Sequence, residues 1–149
     1  MSFLFSSHDY FMGLSDVQAK KGVKALKKLD TVLQIRQKNG RRVNDWMKDH
    51  DKYHLKAALL TNHSFLKFPA LVKDRALFLK AAENHRIPMG DWFTSPLHPV
   101  QGDLSEWKLS VAEFPNALEI SAQIVNLPTD QDDMGPLLDF LEKNKNELL

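Results

Sequence analysis

Ser15-Asp16-Val17-Gln18-Ala19 opens a run that continues to Met47, and its reading decides the fold. Ala19, Val23, Leu26, Leu29, Leu33, Val43 and Met47 recur at three- and four-residue multiples. That spacing puts apolar side chains on one face of an α-helix. Ser15 and Gln18 form a capping box, in which each side chain satisfies an otherwise unpaired amide of the first turn. The stripe ends at Asp49-His50-Asp51, so the pattern predicts one long helix over residues 15–49. Asn39-Gly40 is its weak point: glycine costs about 1 kcal/mol against alanine in a helix interior, which allows a bend or break there, although no proline enforces one.

Working outward, residues 1–14 are apolar and aromatic without a clean period and read as an irregular lead-in. Residues 15–149 read as one domain, in which 64–149 form an α+β layer behind the long helix. Ser64 to Val72 is short, aromatic and β-branched enough for a strand, with Pro69 favouring an edge or bulge. Asp74 opens a helix running to His85 whose Leu77, Phe78 and Ala81 share a buried face. Ile87 to Phe93 reads as a second strand, closed by Pro96 and Pro99. Pro115 suits the first turn of a helix to about Ala122, because the amide it lacks is unpaired there anyway. Gln123-Ile124-Val125-Asn126-Leu127 makes a third strand, stopped by Pro128. The segment from about Asp133 to Leu149 reads as helix through Leu137, Leu138, Leu141 and Leu148, with Asp132 or Asp133 near its positive end. Helices and strands alternate without an internal repeat, which implies an α+β or α/β layer packing.

The 149 residues, 43% hydrophobic and 26% charged, suit one globular domain with a sizeable core. The 20 Lys+Arg against 19 Asp+Glu leave no overall basic or acidic bias. Absence of cysteine excludes a disulfide framework, a thiolate metal site and a cysteine nucleophile, and points to the cytoplasm. No apolar run approaches the roughly 18 residues of a membrane span, and Met1-Ser2-Phe3-Leu4-Phe5 lacks the basic flank of a signal peptide.

Three features carry candidate chemistry. Lys20 to Arg42 holds nine basic residues and the single acid Asp30. Such a helix can track a polyanion by counterion release; with no recognition motif and a neutral overall balance, a solvated face is favoured over nucleic-acid binding. His50 and His54 have the i, i+4 spacing of metal ligands. The intervening residues are Asp51-Lys52-Tyr53, with no Glu after the first histidine and no third ligand nearby, so two solvent-facing histidines at a helix end are favoured, and no metal is expected. Pro88-Met89-Gly90-Asp91-Trp92-Phe93-Thr94-Ser95-Pro96-Leu97-His98-Pro99 crowds aromatics, prolines and a histidine into one loop. Either the stiffened loop presents Trp92, Asp91 and His98 to a small molecule, or Trp92 and Phe93 plug the core while His98 caps a turn. No nucleophile–base pair, phosphate-cradling glycine loop or paired-carboxylate motif accompanies it.

Read together, separate stretches resemble one family. Met12-Gly13-Leu14-Ser15-Asp16-Val17-Gln18-Ala19, then Gly22, Leu26-Lys27-Lys28-Leu29-Asp30 and Arg36, resembles the "M-S-D-x-Q-A … G … Q-L-x-x-L-D … R" helix of the DegT-type nucleotide-sugar aminotransferases, which are pyridoxal-phosphate enzymes. Ile87-Pro88-Met89-Gly90-Asp91-Trp92-Phe93 with Pro96-Leu97-His98-Pro99 is similar to the family's "G-I … G-x-W/Y-F … P-x-H" turn. Phe114-Pro115-Asn116-Ala117 through Leu127-Pro128-Thr129 is similar to its "P-x-A-E … L-P" segment. Their order and spacing fit along nearly the whole chain.

The resemblance implies the small α+β domain of the fold-type I pyridoxal-phosphate-dependent transferases, with a long helix leading into a short, mostly antiparallel sheet with helices on one face. It covers only the carboxy-terminal part of such an enzyme. The Schiff-base lysine, the acid on the pyridine nitrogen and the phosphate-cradling residues of the family lie mostly upstream of the "M-S-D-x-Q-A" helix. No catalytic residue is therefore assigned, and cofactor-binding residues stay unassigned: Phe11 and Gly13 stand where many members carry a phosphate-reaching Asn or Arg. Trp92 and His98 are implied to face the substrate cleft. In the intact enzyme, pyridoxal phosphate would pass an amino group from a donor such as glutamate to a keto-sugar nucleotide. This chain is expected to be inactive alone and to associate, as a homodimer or with a complementary large domain. The alternatives are a binding or regulatory module joined to a separate large domain, and a small polyanion-binding protein.

Overall fold

A computed structural model describes residues 13–100 and 102–149. Most of the lead-in, residues 1–12, lies outside the described residues. The chain falls into two compact units, one up to Val32 and one from Leu33 to Leu149.

In the first unit, helix α1 spans Asp16–Leu26 and carries no buried residue. Its capping box forms as the sequence predicts: Gln18 N donates to Ser15 Oγ at 3.3 Å, and Ser15 N donates to Gln18 Oε1 at 2.9 Å. The expected single helix over 15–49 is instead two, with α2 spanning Leu29–Asp49. The break falls at Lys27-Lys28 rather than at Asn39-Gly40. There Lys28 N bonds Ala25 O at 3.0 Å, a tightened i→i−3 turn of the kind that ends many helices. Val23, Leu26 and Leu29, counted in the apolar stripe, are exposed.

In the second unit Asn39-Gly40 proves to be a packing point. A Cβ at Gly40 would lie 2.5 Å from the Phe65 ring, so the missing side chain lets that ring rest on the helix. Asn39, itself buried, donates from Nδ2 to Thr129 O at 2.9 Å and Gln131 O at 2.7 Å. The Thr129 hydroxyl bonds back to Phe65 O. Helix and loop thus satisfy each other's buried polar groups, which outweighs the poor helix propensity of both residues.

A short helix α3 (Ala57–Leu60) follows, and then strand β1, Phe68–Leu71. The strand begins later than the expected Ser64 because Phe65 adopts φ 47°, outside extended geometry. Helix α4 spans Arg75–Asn84, and Asp74 caps it by accepting Leu77 N at 2.9 Å. Phe78 and Ala82 are its buried residues; Leu77, expected inside, is exposed. Ile87–Phe93 is no strand and pairs only through a Gly90–Asn126 bridge. Helix α5 spans Pro115–Gln123 and strand β2 Ile124–Leu127, close to the sequence reading. Helix α6 covers Gly135–Lys143, shorter than the predicted 133–149, and a 3₁₀ turn follows at Lys145–Glu147.

The described sheet is β1 antiparallel to β2, in register from Phe68 opposite Leu127 to Leu71 opposite Ile124. Leu71 and Lys73 exchange bonds with Leu149 and Glu147, while Val72 N bonds Gln123 O on the β2 side. By strand alternation Pro69 turns its missing donor away from β2, where no ladder bond is lost. The core gathers around this sheet: Val43 and Met47 from α2, Phe78 from α4, Phe140 and Leu141 from α6, and Phe65. Phe78 and Phe140 meet edge-on with centroids 5.2 Å apart, the arrangement aromatic quadrupoles favour. The fold is of the α+β class.

Candidate functional site

The aromatic turn at 88–99 is held mainly by its backbone. Gly90 N donates to Asn126 O at 2.8 Å on the outer edge of β2. A Cβ at Gly90 would stand 2.9 Å from Asn126 Cβ, so only glycine lets the loop approach so closely. Asn126 Nδ2 also donates to Trp92 O at 3.3 Å. Arg75 does most of the rest. Its Nη2 donates to Asp91 O at 2.8 Å and Trp92 O at 3.1 Å, and its Nη1 to Ser121 O at 2.9 Å and Phe93 O at 3.4 Å. Ser121 O lies in the last turn of α5, where carbonyls lack helical partners and a cation is favoured.

Held in this way, Trp92 and Phe93 are 42% and 47% exposed, which overturns the reading in which they plug the core. His98 lies near Phe93, with ring centroids 5.8 Å apart, and its Nδ1 accepts Thr94 N at 3.4 Å. The histidine thus caps the turn as the second reading expected, while the aromatics face outward as the first did.

Three recesses adjoin the turn. The largest, 690 Å³, is lined by Leu79, Ile87, Pro88 and Met89 with the charged Glu83, Arg86 and Asp91. A second of 500 Å³ shares Leu79 and Asp91 and adds Lys73, Asp74, Arg75 and Thr94. A third of 310 Å³ lies between Phe93, Pro96 and α5. Trp92 and His98 line none of the three.

The remaining candidates stay apart. His50 follows the end of α2, stacks on Trp46 with centroids 4.1 Å apart, and places Nε2 3.0 Å from Glu142. His54 lies beyond the helix, its Nδ1 2.9 Å from Lys52 O. No group of three or more metal-ligating side chains is assembled among the described residues. Glu142 also accepts from Lys145 at 2.7 Å, and this bond holds its carboxyl below the ordinary glutamate value. Asp103 is held low by the Ser105 hydroxyl at 2.7 Å and, less, by the Ser105 amide. Of the basic run, Lys20, Lys21, Lys24, Lys27 and Lys28 are exposed, and Arg36 lies 3.9 Å from Asp130. No described helix is long and apolar enough to cross a membrane.

Composition alone did not reveal Arg75 or Asn126. A signal was present: Arg75 occupies the first turn of α4, where the helix dipole disfavours a cation, so its charge serves a partner outside its own helix.

The profile of the DegT/DnrJ/EryC1/StrS aminotransferase family matches residues 6–135, nearly the whole chain. The chain belongs to this family. No curated protein and no solved structure gives a significant match. Members of this aminotransferase family are generally pyridoxal-phosphate-dependent, so the recesses can be tested against that cofactor. Lys73 is the one lysine lining any of the three, and it shares its recess with Arg75, whose Nη protons already serve carbonyls. The N-terminus of α4 is occupied by the carboxylate of Asp74, which repels phosphate. These recesses do not fit pyridoxal phosphate.

Proposed function

We propose that this chain is the carboxy-terminal portion of a pyridoxal-phosphate-dependent sugar aminotransferase, the enzyme class that passes an amino group to a keto-sugar nucleotide. Within it, the domain supplies a wall of the substrate cleft and not the catalytic group. The observation that carries the reading is the aromatic turn. Trp92 and Phe93 are turned outward on a backbone fastened at three successive carbonyls, an expense of order better explained by contact with a ligand than by packing. Trp92 and His98 are the residues assigned to face the sugar nucleotide.

The resemblance implies that the Schiff-base lysine belongs to a large domain upstream of these motifs, and on this reading the chain acts with a homodimer partner or a complementary large domain. The purified chain mixed with pyridoxal phosphate is expected to show no aldimine absorbance removable by borohydride and no transaminase turnover. Adding a separately expressed family large domain, with its own lysine, is expected to give a complex and turnover. Borohydride-sensitive absorbance and turnover from this chain alone would overturn the reading. A reading as a polyanion binder has only the exposed lysines of α1 behind it.

A further inference from the structure

We propose that Arg75 is the positioning residue of the aromatic turn, setting the direction in which Trp92, Phe93 and His98 are presented. Three successive carbonyls, of Asp91, Trp92 and Phe93, converge on one guanidinium that also holds Ser121 O. Such convergence requires the chain to curl, and Phe93 with φ 65° supplies the curl. Arg75 takes part in none of the ion pairs among the described residues, and its four hydrogen bonds all go to carbonyls, one of them at the negative end of α5.

The environment separates positioning from stability. The bonds to Asp91, Trp92 and Phe93 are exposed, and water can replace each donor if the arginine is removed. What water cannot restore is the common anchor point that fixes three peptide planes relative to one another and to α5. Lysine cannot restore it either. Its ammonium is a point donor at the end of a flexible stem, whereas the guanidinium divides four acceptors between two rigidly spaced nitrogens. The importance of this positioning for turnover rests on the proposed cleft-facing role of the turn; the positioning itself does not.

The test uses the ¹⁵N-labelled full chain. In the wild type, the Arg75 Nη protons are expected to give resolved signals with hindered Cζ–Nη rotation, and the Trp92 amide a rigid order parameter of about 0.85. In Arg75→Lys and Arg75→Gln, the Trp92 amide order parameter is expected to fall below ~0.6. The Trp92 indole signal, identified by its loss in Trp92→Phe, is expected to move together with the His98 ring signals. The indole signals of Trp46 and Trp107 should hold their positions. Freely averaged Nη signals in the wild type would overturn the proposal, as would an unchanged Trp92 order parameter in Arg75→Lys. If Arg75→Gln fails to fold, the wild-type Nη signals and Arg75→Lys still decide. Failure of transamination with an added large domain would count against the aminotransferase reading while leaving these signals as they are.

Discussion

Phe65 and Phe93 are both phenylalanines in left-handed backbone geometry, φ 47° and 65°, yet one is fully buried and the other 47% exposed. A bulky side chain in that region carries strain of order 1–3 kcal/mol, so each site needs a compensating interaction. At Phe65 it comes from the side chain: the ring rests on Gly40 and stacks on Phe68 with centroids 6.1 Å apart, while the Thr129 hydroxyl takes its carbonyl. At Phe93 it comes from the backbone, whose carbonyl and two predecessors are gathered by Arg75. The same local geometry therefore makes a core plug in one place and an outward-facing surface in the other.

The largest effect that sharpens this contrast is expected at Phe65. Truncation to alanine removes a fully buried ring and should cost about 3–5 kcal/mol of unfolding free energy in a urea titration. Next comes Gly40→Ala, whose new methyl meets the Phe65 ring. Despite alanine's better helix propensity it should lose about 1–3 kcal/mol by the same measurement, and a gain in stability would break the packing account.

The smallest effect lies away from both regions, at Glu142. Its carboxyl is lowered chiefly by Lys145, with His50 adding to the effect, so the stabilisation is present above the ordinary glutamate value and lost as pH falls through the lowered one. The small Tm advantage of the wild type over Glu142→Gln should be present at neutral pH and vanish in that acid window. A difference that persists below it would contradict the assignment.

Much of this was legible in the sequence where local and tertiary signals agree. Ser15 and Gln18 announced the start of α1, Asp74 the cap of α4, Pro115 the first turn of α5, and Gln123 to Leu127 a strand bounded by proline. The misreadings share a cause, since periodicity does not say which contacts a residue makes across the fold. Asn39-Gly40 read as a helix weakness because neither Phe65 nor the Thr129 carbonyl is adjacent in sequence. Ile87 to Phe93 read as a strand from its composition, but Arg86 and Phe93 take left-handed geometry and Arg75 captures the carbonyls a strand would use. The predicted terminal helix ends at Lys143 because the following residues turn back, where Glu147 and Leu149 bond beside β1. Family motifs marked Trp92 and His98, whereas the residue that anchors their loop lies outside every motif.

The comparison is tested most directly by measuring the unfolding free energies of Phe65→Ala and Phe93→Ala side by side in urea. The account predicts a loss of about 3–5 kcal/mol for the first and a change within about 0.5 kcal/mol for the second, as for a surface residue whose backbone is held by other groups. A loss at Phe93 as large as that at Phe65 would contradict it, because the aromatic turn would then be part of the core.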